Sequence, residues 1–108
     1  MSIVFECRDF EGRRVILWLN SWRHILAKRP WVYEHRAKII EAVEKPDMVL
    51  EGKLGELLAV KWFKGLLDGV YLVVVYRTLN GEGFIITAYP TKKMERLKNR
   101  RRLVWKRP

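Results

Sequence analysis

Apolar positions recur along this chain with two periods, and the switches between them mark its elements. Ser2 to Arg8 alternates, with Ile3, Phe5 and Cys7 on one face, and Arg14 to Leu19 is a second short β-rich run after the turn signal Glu11-Gly12. The two runs read as an opening hairpin. Asn20 or Ser21 then offers an N-cap, and Trp22, Ile25 and Leu26 fall at helical spacing until Pro30 stops the helix near Arg29. A second helix is expected from Trp31 or Val32 to about Lys45, with Ile39, Ile40 and Val43 on one side and Pro46 as its terminator.

The period then returns to two. Met48 to Leu50, Leu57 to Lys64, Val70 to Leu79 and Gly83 to Tyr89 read as strands, with tight-turn signals at Leu67-Asp68-Gly69 and Asn80-Gly81. The last three should form an antiparallel meander, with Val73-Val74-Val75, apolar on both faces, in its middle. After Pro90, Thr91 is placed to cap a last helix that docks Met94, Leu97 and Val104 on the sheet and turns its cations to water. The expected architecture is α+β: N-terminal strands and two helices packed on a four-stranded antiparallel sheet, helices on one side. Residues 1–91 form the domain and residues 92–108 a basic C-terminal helix or tail.

Composition narrows the class. The chain has 108 residues, one domain's worth, and no apolar run long enough to span a membrane or act as a signal peptide, so a cytoplasmic protein is expected. Cys7 has no partner for an internal disulfide and reads as a small core residue. Gln is absent while Lys, Arg and Glu abound, a composition associated with thermophiles. The net charge of +10 is unevenly spread: residues 92–108 hold nine Lys/Arg against Glu95 and so carry +8, leaving +2 for the rest. Such a segment neutralises phosphates, which points to RNA or another nucleic acid held by Lys92, Lys93, Arg96, Arg100, Arg101 and Arg102. Trp105, an aromatic among those cations, reads as a base-contacting residue. A rival reading has Leu103-Val104-Trp105 docking into a second copy or an acidic antitoxin-like partner.

Metal chemistry is disfavoured, because His24, His35 and Cys7 lack zinc-site spacing and the acidic residues form no paired cluster. No phosphate-cradling glycine motif occurs, and no cofactor is expected. General acid/base chemistry remains. RNA carries its own nucleophile, the 2′-hydroxyl, so His24, Lys61, Arg77 and Thr87 would suffice to cut it, with Lys64 and Tyr89 as contacts to the chain being cut. Register decides whether they meet. With a two-residue Asn80-Gly81 loop, opposed residue numbers sum to 161, so Thr87 and Tyr89 share a face with Leu72, Val74 and Tyr76 while Arg77 points away, beside Glu82 as a pairing partner; an odd loop would instead bring Arg77 and Thr87 together.

Trp22-Arg23-His24-Ile25, a second helix ending in Pro46-Asp47-Met48-Val49, and a meander closing on Thr87-Ala88-Tyr89-Pro90 together resemble phage-associated nuclease-like families of the barnase/EndoU/colicin E5/D/RelE (BECR) superfamily. The resemblance spans roughly residues 12–93 and implies a metal-independent RNase, often toxin-like, with His24 as acid/base and Thr87 as phosphate contact. The implied pattern continues with Arg-His-Pro. This chain has Lys28-Arg29-Pro30, so Arg29 occupies the second histidine position.

Overall fold

The computed structural model describes residues 2–108. In chain order it holds strands Ile3–Arg8 (β1) and Arg14–Trp18 (β2), helix Leu19–Lys28 (α1), a 3₁₀ helix Pro30–His35, helix Arg36–Glu44 (α2), strands Met48–Glu51 (β3), Leu57–Phe63 (β4), Val70–Leu79 (β5) and Glu82–Thr91 (β6), helix Met94–Arg100 (α3) and strand Arg102–Lys106 (β7). The strands form one mixed sheet of seven in the order β1-β2-β6-β5-β4-β3-β7, with only β2 and β6 parallel.

This corrects the expected four-stranded antiparallel sheet in three ways. The opening hairpin does form, and it joins the sheet through β2 alongside β6. The basic C-terminal segment is no tail: β7 pairs with β3 from Met48 opposite Lys106 to Glu51 opposite Arg102. Helices cover both faces. α1 and α2 bury Trp22, Ile25, Ile39 and Val43 with Leu17, Leu72, Val74 and Tyr76, whereas α3 buries Met94 with Met48, Leu50, Leu58, Val60 and Val73 on the other side. The physical reason lies in β5, the central strand, which is apolar on both faces and therefore needs cover on both.

Asn80 (φ 53°) and Gly81 (φ 81°) form the expected two-residue turn, since both central positions of a type I′ turn need positive φ. Near that turn the sum rule holds, with Arg77 opposite Phe84 and Tyr76 opposite Ile85. Between Tyr76 and Val75 the register shifts by one residue, so Val75 faces Thr87 and Val73 faces Tyr89. The extra residue is Ile86, a β-bulge. It turns Thr87 and Tyr89 onto the α3 face, which is also the face of Arg77, and so overturns the parity inferred from the loop alone.

One buried polar cluster ties the edge hairpin to the centre. Asp9, 5% exposed, accepts the backbone N–H groups of Glu11 (3.0 Å) and Arg13 (2.9 Å), the Arg13 guanidinium (2.9 Å) and the Tyr76 hydroxyl (2.9 Å). Tyr76 reaches across β6 only because position 83 is glycine: a Cβ there would stand 2.9 Å from Tyr76 Cδ2 and 3.0 Å from Val15 Cγ2. Phe10, in the turn after β1, and Trp105 on β7 meet with ring centroids 5.7 Å apart, although β1 and β7 stand at opposite ends of the sheet order. Arg14 bonds both Glu6 and Glu82, so the Arg77–Glu82 pair expected from sequence does not form.

Two predictions concern stability. Asp9→Ala strands Arg13 and the Tyr76 hydroxyl, and Gly83→Ala displaces the Tyr76 ring; each is expected to lower unfolding free energy by about 2–4 kcal/mol in chemical denaturation. An unchanged midpoint for both would contradict this assignment. Burial, reinforced by Glu44 and Asp9, pushes the Cys7 thiol up from 9.0 to about 12. A folded value above the unfolded one gives stability that is intact below pH 9 and lost as pH rises toward 12, by roughly 1.4 kcal/mol per unit. Cys7→Ala should flatten that alkaline slope, leaving the part due to Tyr76, which burial and the neighbouring Asp9 also push up.

Candidate nucleic-acid interface

α3 is short and amphipathic: Met94 and Leu97 face the sheet, while Arg96, Arg100 and the preceding Lys93 are exposed. The helix begins directly after β6, whose last residues Tyr89 and Thr91 the bulge has turned toward it. Thr91 Oγ1 accepts the backbone N–H of Lys93 at 3.0 Å, fixing the corner between strand and helix. Together these elements enclose a cavity of about 210 Å³ lined by Tyr89, Thr91, Lys93, Arg96, Leu97, Arg100 and Arg101. Its lining contains four cations and no carboxylate.

Among the described residues, five of the 22 lysines and arginines (Arg13, Arg14, Lys61, Arg102 and Arg107) have a carboxylate partner, and none of the five lines this cavity. Among the described residues, the side chains of Lys93, Arg96 and Arg100 have neither an ion pair nor a hydrogen bond. Arg101 donates from Nη1 to the Arg100 carbonyl at 3.1 Å, but its Nε is buried without a partner. A buried, unpaired donor of a charged group is costly unless an acceptor arrives. Burial pushes the Tyr89 phenol up, while the positive charges of Arg101 and Arg29 pull it the other way. Tyr89 therefore stays protonated at neutral pH and offers a hydroxyl among cations. The arrangement can hold an anion with several oxygens, of which a phosphate is the commonest biological example.

The residues expected to cut RNA are dispersed. His24 is exposed on α1, on the sheet face opposite α3, and among the described residues it has no hydrogen-bond partner. Lys61 is committed elsewhere: its Nζ donates to the Lys45 carbonyl at 2.9 Å and lies 3.8 Å from Asp47 and 3.9 Å from Glu41, pinning β4 to the end of α2. Lys64 is exposed in the turn after β4, and Arg77 is exposed near the β5–β6 hairpin. Thr87 shares a face with Tyr89 but lines none of the α3 cavity. Of the binding set, Tyr89, Lys93, Arg96, Arg100 and Arg101 come together, Lys92 lies exposed beside them, and Arg102 pairs with Glu51 at 2.6 Å on β7. Trp105 packs on Phe10 and is not a free aromatic.

Two features were missed from sequence. Arg29, read only as a substitute for a family histidine, contributes charge near Tyr89. Asp47, read as part of a motif, is a structural hub: its carboxylate accepts the Trp62 N–H at 2.8 Å and pairs with Arg107 at 3.2 Å, and its backbone bonds Val60 and Arg107. No sequence signal marks either role, because one depends on where the end of α1 lies relative to β6 and the other on which strands lie side by side.

None of the described helices is long and apolar enough to cross a membrane, and no group of three or more His, Cys, Asp or Glu among the described residues could hold a metal ion. Comparisons with protein-family models, with curated protein sequences and with solved structures gave no match. The resemblance to the BECR superfamily thus rests on the quoted residues alone.

Proposed function

We propose that this chain is a nucleic-acid-binding module that grips the phosphate backbone of RNA on the face built from α3 and the end of β6. The observation that carries the reading is the cavity at Tyr89, where four guanidinium and ammonium groups share one lining with no carboxylate and the Arg101 Nε is buried without a partner. A surface lysine or arginine is usually solvated, but clustering four around a protonated phenol raises their mutual repulsion. A polyanion relieves it and releases condensed counterions on binding. Holding is favoured over cutting because Lys61 is bound to three oxygens of α2 and β3's approach, and His24 stands on the opposite sheet face.

Titration of a labelled RNA at increasing salt tests this. Binding should weaken linearly in log–log form, and Arg96→Ala/Arg100→Ala should make the slope shallower by about 1.4, two backbone contacts' worth on a single strand. Arg36→Ala, which removes an exposed charge from α2 on the other side of the sheet, serves as the control and should leave the slope unchanged. Salt-independent binding, or equal effects of the two changes, would contradict the reading. The RNA should be recovered intact in EDTA with wild type and His24→Ala alike; cleavage abolished by His24→Ala would instead establish the nuclease.

A further inference from the structure

Trp62 is the largest side chain left open on the α3 face of the sheet, 48% exposed although it sits within β4. It is held rigidly. Its backbone N–H is bonded to Asp47, its ring lies 3.0 Å from where a Cβ on Gly69 would be, and Tyr71 meets it edge-on with centroids 5.2 Å apart. A cavity of about 460 Å³ opens over this pair, with Lys106 and Arg107 at its rim. The one carboxylate in its lining, Asp47, is already paired with Arg107 and Lys61.

The register joins this cavity to the one at α3. Trp62 lies opposite Tyr71, and Tyr71 lies opposite Thr91, whose side chain lines the cation cavity. Two strand spacings, roughly 10 Å, separate the aromatic platform from the anion site on one sheet face. We infer that the ligand is single-stranded nucleic acid, with an unpaired base stacked on Trp62 and the adjoining backbone phosphate among Arg96, Arg100 and Arg101. This rests on the proposed binding function and adds the class of strand. Cations alone do not discriminate single strands from duplexes, but a duplex keeps its base faces stacked inside and cannot offer one to an indole. Charge complementarity favours this occupant over an apolar protein surface, since the rim of the platform is cationic.

The test compares wild type, Trp62→Ala and Trp62→Phe for binding an oligouridylate of about 15 nucleotides and an RNA duplex of the same length, at two salt concentrations. Wild type should prefer the single strand. Trp62→Ala should lose about tenfold or more of single-strand affinity with no change in salt slope or in duplex binding, and Trp62→Phe should recover most of it. Circular dichroism and thermal melts of each variant establish that the fold is retained; Trp62 is half exposed, so its truncation empties no core position. If Trp62→Ala binds the single strand as wild type does while Arg96→Ala/Arg100→Ala weakens it, the platform is wrong and the backbone grip stands. Preference for the duplex would likewise overturn the inference. If wild type binds neither probe, both readings fall together.

Discussion

The two-sided burial of β5 is the constraint on which the rest of this structure depends. Val70, Leu72, Val74 and Tyr76 face one way and Val73 and Val75 the other, so neither face can be left to water. The first face is covered by α1 and α2, which precede the meander in the chain. The second is covered by residues that follow the meander. Met94 and Leu97 fold back over Val60 and Val73, and the strand that follows is carried to the β3 edge. A segment that composition marks as a solvated basic arm becomes structural because the core is incomplete without it.

That constraint also shapes the chemistry. Once α3 lies on the sheet, its cations are fixed relative to Tyr89 and Thr91 instead of sweeping solvent, and four of them surround one cavity. Pre-positioned charge loses less conformational entropy on binding than a flexible arm would. The bulge at Ile86 contributes equally: without its extra residue, Tyr89 would point to the α1/α2 side, and the cation cluster would have no hydroxyl and no corner to close it. Asp47 anchors β3, β4 and β7 at the other end and steadies both Trp62 and Arg107. The mutual arrangement of the two cavities is thus fixed by strand register.

Local features of this fold were legible in the sequence, and nonlocal ones were not. The Asn80-Gly81 hairpin, the helix stop at Pro30 and the alternation of β1 follow from turn chemistry and periodicity, which act within a few residues. The parallel pairing of β2 with β6 joins residues 68 positions apart and leaves no local mark. The second face of β5 was visible in Val73-Val74-Val75, yet what would cover it was masked by the charge of residues 92–108. The crowding of cations into residues 92–108 was visible because charge density is a sequence property. Their separation from His24 and Lys61 was not, because it depends on which face of the sheet each element covers. The Ile86 bulge defeated the parity argument for the same reason that bulges generally do: one inserted residue exchanges every side chain beyond it.

Amide hydrogen exchange of the intact protein tests most directly whether the basic segment is a folded part of the sheet. The account predicts that the β7 amides facing β3, within Arg102–Lys106, are protected to a degree comparable with β4, and that α3 exchanges more slowly than an isolated seven-residue helix could. Exchange of residues 92–108 at the rate of an unstructured chain, with β5 protected as before, would contradict it, for the second face of the central strand would then be covered by something other than α3.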